Sequence, residues 1–356
     1  MKINLSKKDL EKTYHLLDTK EINISIADLL FSTFEEIDFF NNSKTADQFF
    51  DRLLKFWDVP GDAKEDIDLL KKVVKPAISP LKADFFERNS YYKTVKPAPF
   101  KHGEYELKYM SFKAYQPLPL DEIIVDENDY YLERSPLSYC LKEEQYLALS
   151  HKDEVWMSIT PNEINTMQPY IDVAKGDVLV LGLGLGYYPF MVSLKDGVKS
   201  VTIIEMDKTI IDIFKKNILP FFPHKEKIHI VEADAFNYLK NNKNEYTTVF
   251  ADLWHNPVDG LPLYIKLKQL EKSSHTIYQY WLEKSLIALG RRCLLTIYEE
   301  ALENYKDKDY LKAQNQIDSI INRLYFKTKN ITINTYDDIF NLLSDRSIKQ
   351  LIKSLI

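Results

Sequence analysis

The feature of this sequence that most restricts its fold is the stretch VLVLGLGLGYYPF, from Val178 to Phe190. Three of the nine glycines in the chain alternate with leucine there, directly after an unbroken apolar run. Such a run predicts a strand that is buried on both faces, and glycines at its exit predict a turn whose backbone comes close to a ligand. The stretch therefore favours a parallel α/β sheet with a ligand site at the end of this strand.

Strands and helices alternate in the sequence after Gly176. The predicted strands are VLVLGL, VTIIE, IHIVE and TTVFAD, and the predicted helices begin near Pro189, at Asp207 and before Tyr238. This alternation is typical of a doubly wound, Rossmann-like α/β fold. Helical patterns continue over 276–289 and from Ile317 to the end of the chain, and RCLLTIY, 292–298, is a candidate fifth strand.

The regions outside this sheet differ in their apolar pattern. The N-terminal part has helical periodicity, and the part before residue 160 has short segments rich in tyrosine, isoleucine and valine, which predict a small antiparallel sheet. The sequence TPNE then predicts a helix that begins at Pro161, with Thr160 and Glu163 as a capping box. We expect four parts: a helical N-terminal region (1–100), a small antiparallel β subdomain (101–160), the Rossmann-like domain (161–300) and a helical C-terminal extension (301–356).

Composition and charge exclude several classes of protein. The net charge of −6 and the pI of about 5.8 give no general field that attracts phosphates, so a small-molecule partner is favoured over nucleic acid. The N-terminal residues lack the apolar centre of a signal peptide, and the longest apolar run is too short for a bilayer, so we expect a cytoplasmic protein without a membrane partner. The two cysteines and seven histidines lack the spacing of metal ligands, and we expect no metal. The sequence is compatible with an oligomer.

The residues that follow the glycines argue against two common nucleotide sites. A phosphate-binding loop of the Walker type needs a lysine and a hydroxyl residue there, but Tyr187 and Tyr188 follow Gly186. The dinucleotide fingerprint needs glycine or alanine at position 187, where this chain has tyrosine, and this disfavours NAD.

Four motifs at strand ends occur in a recognisable order: VLVLGLGLG, IIEMD, EADAF and FADLWHNP. With them, the run from Gly176 to Asn256 resembles the class I S-adenosylmethionine-dependent methyltransferases, in particular their spermidine-synthase-like branch. The resemblance implies S-adenosylmethionine as the cofactor, bound at the carboxyl edge of the sheet.

The resemblance also assigns residues to the cofactor. Glu205 would accept hydrogen bonds from both ribose hydroxyls, Met206 would pack on the adenine face, and Asp234 would accept a hydrogen bond from the adenine amino group. The alternative roles are a solvated acid, a core side chain and a helix cap, respectively, and Asp207 is expected to be a cap. The full predicted set is Gly182, Leu183, Gly184, Gly186, Glu205, Met206, Asp234, Ala235, Phe236 and Asp252.

The segment after the fourth predicted strand supplies the candidate catalytic residues. Asp252 would orient or deprotonate an acceptor, Trp254 would line the cationic centre, and His255 is an alternative base. Ordinary packing or hydrogen bonding is the competing role for the tryptophan and the histidine.

These residues lead us to expect a methyltransferase that acts by direct displacement on an unidentified acceptor. The alternatives are an aminopropyltransferase of the spermidine-synthase type and a noncatalytic module that binds S-adenosylmethionine. Aminopropyl transfer is weakened because the family's glycine loop ends Gly-Asp-Gly, whereas this chain has Leu185 where the acid would help to bind a polyamine. The segment HNPV lacks the second proline and the aromatic residue of enzymes that methylate nucleobase amino groups, which disfavours that acceptor.

Overall fold

The computed structural model describes residues 1–34, 40, 42–272, 275–304 and 308–355. Its helices are α1 (Lys7–Thr33), α2 (Ala46–Phe56), α3 (Lys64–Val73), α4 (Phe85–Arg88), α5 (Ser90–Thr94), α6 (Pro161–Val173), α7 (Tyr187–Ser193), α8 (Lys208–Asn217), α9 (Ala235–Asn241), α10 (Pro257–Gln269), α11 (Glu283–Leu302), α12 (Gln316–Thr328), α13 (Tyr336–Leu342) and α14 (Asp345–Ser354). Its strands are β1 (Lys2–Ile3), β2 (Ile78–Pro80), β3 (Phe100–His102), β4 (Tyr105–Phe112), β5 (Pro117–Pro119), β6 (Ile124–Asp126), β7 (Leu132–Arg134), β8 (Leu137–Tyr139), β9 (Glu144–His151), β10 (Glu154–Ser158), β11 (Gly176–Leu181), β12 (Val198–Glu205), β13 (Ile228–Glu232), β14 (Thr248–Ala251), β15 (Ile277–Tyr280) and β16 (Thr332–Ile333).

A parallel sheet of five strands, in the order β13-β12-β11-β14-β15, forms the centre of the molecule. A helix follows each of its first four strands along the chain, as α7, α8, α9 and α10. The order of the strands reverses between β11 and β14, and ligands of open α/β sheets bind in the crevice at such a reversal. The predicted doubly wound, Rossmann-like fold is confirmed.

The apolar run that predicts the first strand is buried in the structure. Every side chain from Val178 to Leu181 is at most 1% exposed. Each such side chain contributes about 1.5–3 kcal/mol relative to an exposed position. Tyr188 in α7 stacks on Phe250 in β14 with 3.8 Å between ring centroids, which fixes the first helix against the sheet.

The fifth strand is not where the sequence predicts it. RCLLTIY lies within α11, and the strand is β15, inside the stretch that was predicted to be helical. The helix α11 has buried residues on most of its sides, including Cys293, Leu294, Ile297 and Tyr298. A short run without polar gaps therefore looks the same in a buried helix as in a buried strand. Within the described residues no strand extends the sheet beyond β15.

The predicted small antiparallel sheet is present and has four strands in the order β10-β9-β4-β3. Its longest pairing joins β4 to β9 over eight residues each, with Leu107 opposite Leu149. The chain leaves β10 directly into α6, which begins at Pro161 with the predicted capping box of Thr160 and Glu163. This short connection brings the small sheet to the carboxyl edge of the central sheet.

The N-terminal and C-terminal helices pack on each other as well as on the sheets. The helices α1, α2 and α3 enclose a second apolar core, in which Phe49 stacks on Tyr139 with 4.4 Å between centroids. The strand β1 at the N-terminus pairs with β16 of the C-terminal extension. Lys20 of α1 contacts Glu299 of α11 at 2.6 Å. The helical extensions are therefore part of the folded body.

Across the part of the chain that the structure describes, no helix combines the length and the apolar character needed to cross a membrane. The same residues contain no group of three or more histidine, cysteine, aspartate or glutamate side chains that could hold a metal ion. Both cysteines are free and buried.

Candidate active site

A cavity of about 960 Å³ opens at the carboxyl ends of β11, β12 and β14. The strand β10 and the first turns of α6 and α7 complete its walls. The structure brings every residue of the predicted site to this cavity: Gly182, Leu183, Gly184, Gly186, Glu205, Met206, Asp234, Ala235, Phe236, Asp252, Trp254 and His255. Its volume suits a nucleoside donor together with a small acceptor.

The three loop positions 182, 184 and 186 carry glycine for different structural reasons. All three have positive φ angles, which disfavour other residues. A Cβ at Gly182 would lie 2.0 Å from the carbonyl oxygen of Asp252, and one at Gly186 would lie 2.3 Å from the Phe214 ring. A Cβ at Gly184 would meet nothing within 4 Å. Packing of the protein itself therefore requires glycine at positions 182 and 186. Of the three, only Gly184 leaves open space beside the cavity. This differs from the expectation that the approach of a ligand explains all three glycines.

Residues of the N-terminal region hold the glycine loop in place. Tyr91 is fully buried and donates a hydrogen bond from its hydroxyl to the carbonyl of Leu185 at 2.7 Å. Asn89 donates to the hydroxyl of Tyr187 at 2.9 Å. No local sequence pattern indicates these contacts, since they join residues almost a hundred positions apart.

Glu205 points toward the glycine loop, as a ribose-binding acid must. Its Oε2 accepts a hydrogen bond from the amide of Leu183 at 3.2 Å, and its Oε1 accepts one from the amide of Asp207 at 2.8 Å. A carboxylate has about four acceptor positions, so each oxygen retains capacity for a further donor. The position and the remaining acceptors fit a ribose with two hydroxyls.

The residues predicted for the adenine end lie at the rim of the cavity. Asp234 caps α9, because its Oδ1 accepts from the amide of Asn237 at 2.8 Å. Met206 is 72% exposed, so its predicted alternative role as a core side chain is wrong. Asp207 is the cap of α8, as expected, and accepts from Thr209 at 2.7 Å. The capping role of Asp234 leaves its second oxygen for a ligand.

Asp252 and Glu163 are the two carboxyl groups at the inner end of the cavity. Burial raises the pKa of Asp252 to about 7. Burial also raises the pKa of Glu163 to about 8, with a further contribution from the charge on Asp252. Sequence reasoning identified Glu163 only as a capping residue, and the capping bond uses just one of its oxygens, Oε2. These are groups whose protonation changes near neutral pH.

Trp254 and His255 differ in their surroundings. Trp254 is 4% exposed and donates from its indole nitrogen to the carbonyl of Trp281 at 3.1 Å, so it is fixed by packing. His255 is exposed, and its Nδ1 lies 3.3 Å from Asp259. Although burial acts to raise the pKa of Asp259, the amides of His255 and Asn256 lower it overall. The imidazole thus belongs to the outer rim rather than to the inner end.

An aromatic row consists of Tyr105, His151, Trp156 and His255, of which Trp156 and His255 line the cavity mouth. The ring centroids of successive members lie 4.5, 5.0 and 6.1 Å apart. The row begins at Asp207, which accepts a hydrogen bond from the Tyr105 hydroxyl at 2.9 Å. The sequence places Tyr105 and Trp156 on predicted strands of the small sheet, but only the tertiary structure brings Trp156 to the cavity.

The segment of the chain that carries this geometry matches a known family. Residues 163–262 match the model of the spermine/spermidine synthase domain. This segment belongs to the spermidine-synthase-like branch of the class I fold. The matched residues include Glu163, the glycine loop, Glu205, Asp234 and Asp252.

Solved structures are similar to part of the chain. They include a spermidine synthase from Thermotoga maritima, with a TM-score of 0.28, and a spermidine synthase in complex with the transition-state analogue AdoDATO, with a TM-score of 0.29. Each is 15% identical over 42% of this chain and 58% of its own length. The chain thus spans less than two thirds of either structure. No curated protein matches the chain in sequence.

Proposed function

We propose that this chain transfers an aminopropyl group from decarboxylated S-adenosylmethionine to an amine acceptor. The observation that carries this proposal is the match of residues 163–262 to the spermine/spermidine synthase domain, because the matched segment supplies most of the cavity wall. The match favours aminopropyl transfer over the methyl transfer that the order of the motifs led us to expect.

The inner carboxyl groups suit an amine reaction. The bound donor supplies a carbon that is activated by its bond to a sulfonium. Asp252, with a pKa raised to about 7 by burial, accepts a proton from the attacking amine near neutral pH. Within the described residues its carboxyl has no ion-pair or hydrogen-bond partner, so it is available to a ligand. Glu205 and the glycine loop hold the nucleoside so that the reacting atoms are aligned.

Methyl transfer is the second candidate, and one residue favours it. Leu185 lies where the family's glycine loop carries an acid, and it is only 5% exposed. This apolar side chain removes one carboxylate that would help to bind a polyamine. The same cavity would then bind S-adenosylmethionine as the donor.

Product analysis with the full chain tests the proposal. The protein is incubated with an amine panel and either decarboxylated S-adenosylmethionine or S-adenosylmethionine, and both nucleoside products are quantified. We expect methylthioadenosine from the first donor and no S-adenosylhomocysteine from the second. Asp252→Asn should lower the rate about 10²–10⁴-fold, since it removes the proton acceptor without changing the shape of the side chain.

Glu232→Gln is the matched control, because Glu232 is an exposed acid at the end of β13 and does not line the cavity. Its rate should equal that of the wild type. Formation of S-adenosylhomocysteine with no methylthioadenosine would replace the proposal by methyl transfer. Nucleoside binding without turnover of either donor would indicate the noncatalytic module.

A further inference from the structure

Some carboxyl groups of the cavity hold the glycine loop or cap helices, and others remain available to a ligand. Five carboxyl groups line it: Glu163, Glu205, Asp207, Asp234 and Asp252. Glu205 holds the loop, while Asp207 and Asp234 cap helices at the nucleoside end. Asp252 and the Oε1 atom of Glu163 therefore remain for charged groups of the reacting molecules. These two lie at the inner end, where the charge on Asp252 contributes to the raised pKa of Glu163.

The rest of the inner wall is apolar. It includes Met157, Met167, Leu185, Leu253 and Leu263. Among the described lining residues there is no third carboxylate at this end to meet a second ammonium group of an acceptor. A buried ammonium without a partner is strongly unfavourable. The wall therefore disfavours an extended diamine.

A flat apolar surface lies at the cavity mouth instead. Trp156 lines the cavity and is 42% exposed, so part of its side chain is open to a ligand. His151 and His255 contact it edge-on, at 5.0 and 6.1 Å between centroids, so its ring is held in position within the aromatic row. Such a surface suits an aromatic or aliphatic group.

We propose that the acceptor is a monoamine with an apolar or aromatic remainder, whose nitrogen meets the carboxyl pair of Asp252 and Glu163 while its remainder packs on Trp156. This inference rests on the proposed function. One carboxylate of the pair holds the ammonium of the donor, and the other receives the proton of the acceptor. No charged group then remains for a distant second amine.

The transfer step balances with these residues alone. The neutral amine forms a C–N bond to the carbon of the aminopropyl group that is bonded to the sulfonium, and the bond between that carbon and the sulfur breaks. Its electron pair goes to the sulfur, which becomes the neutral thioether of methylthioadenosine. The extra proton on the product nitrogen passes to the carboxylate of Asp252 and from there to solvent.

Initial rates with phenethylamine, hexylamine, 1,4-diaminobutane and spermidine test the inference on the full chain. Release of methylthioadenosine gives kcat/KM for each amine. We expect the two monoamines to exceed the two polyamines at least about tenfold, because the second ammonium of a polyamine finds no partner. Higher kcat/KM values for the polyamines would overturn the inference while leaving aminopropyl transfer intact.

A binding measurement separates this inference from the proposed function. Calorimetry with phenethylamine and with 1,4-diaminobutane, each in the presence of saturating methylthioadenosine, reports the preference without any turnover. Tighter binding of phenethylamine supports the inference even if no aminopropyl group is transferred. Equal or tighter binding of the diamine overturns it.

Trp156→Ala tests the position of the apolar remainder. It should weaken phenethylamine binding about tenfold and leave methylthioadenosine binding unchanged, because the side chain lies on the acceptor side. Phe326→Ala is the control, since Phe326 is 55% exposed and lies outside the cavity. Unchanged phenethylamine binding in Trp156→Ala would contradict the proposed position.

Discussion

Glu205 at the end of β12 accepts a hydrogen bond from the amide of Leu183 in the glycine loop, with 3.2 Å between the two atoms. This bond joins the ends of two neighbouring strands at the crevice of the sheet. It orients the carboxylate before any ligand binds, so little ordering of this side chain remains when a nucleoside enters. Glu205 is thus both part of the loop and a candidate ribose ligand.

Removal of this carboxylate should weaken nucleoside binding. We expect Glu205→Ala to raise the Kd for methylthioadenosine about 10–100-fold, because hydrogen bonds to charged groups contribute about 1.5–3 kcal/mol. Glu232→Ala is a close control, since Glu232 is the register partner of Glu205 on β13 and is exposed. Calorimetry on both variants measures the difference, and equal affinities would exclude the ribose role.

The glycine loop predicts an order of stability among alanine variants. Gly182→Ala should destabilise most, because the added Cβ would meet the backbone carbonyl of Asp252, which cannot move cheaply. Gly184→Ala should lower the free energy of unfolding by only about 1–2 kcal/mol, because alanine would have to adopt a left-handed backbone conformation. Its main effect should be weaker nucleoside binding. Thermal unfolding and calorimetry test this order, and a Tm for Gly182→Ala at or above that of Gly184→Ala would contradict it.

The contact between Tyr91 and the loop predicts a loss of stability that is large for a single hydroxyl group. Tyr91→Phe leaves the carbonyl of Leu185 without its donor in a buried site, which should cost about 1–3 kcal/mol in the free energy of unfolding. Tyr146→Phe is the matched control, because its hydroxyl contacts only the sulfur of Met110 among the described residues, at 3.9 Å. Urea unfolding of the two variants gives the comparison, and equal losses would argue against the contact.

The raised pKa of Glu163 predicts how stability depends on pH. Burial, followed by the charge on Asp252, raises it from the ordinary value of 4.5 to about 8. Between these pH values the folded chain therefore binds more protons than the unfolded chain does. The free energy of unfolding falls as the pH rises from 4.5 to about 8. Glu163→Gln keeps an acceptor for the Thr160 amide and removes the charge.

The variant should resemble the wild type at pH values near 5 and should be more stable near pH 8, by on the order of 1 kcal/mol or about 2 °C in Tm. Thermal unfolding at the two pH values measures this. If the variant instead loses stability equally at both pH values, the capping bond of Glu163, rather than its charge, would determine the effect on stability.

The pH dependence of turnover should distinguish Asp252 from His255. Asp252 must be ionised to accept a proton, so kcat/KM should rise with pH through about 7, the value to which burial raises its pKa. Glu163, Lys208 and His255 are further titratable groups that line the cavity. In His255→Ala the rise should persist with less than a tenfold loss of rate, because the imidazole lies at the rim. Disappearance of the rise in that variant would assign the base to His255.

The sequence by itself determined four of the five strands of the central sheet and its ligand edge. Its inner parallel strands are nearly continuous apolar runs, and the predicted ligand residues lie at or shortly after the ends of strands, so local pattern was enough. The capping of α6 and α8 was predictable for the same reason, because a cap involves residues only a few positions apart.

Only the tertiary structure decided which residues complete the site. Glu163 and Trp156 become part of the cavity because α6 and β10 pack over the sheet edge, and Tyr91 reaches Leu185 across 94 positions. The fifth strand was misplaced because a helix buried on most sides has no polar period. Contacts between distant segments depend on packing of the whole chain, and no local spacing in the sequence encodes them.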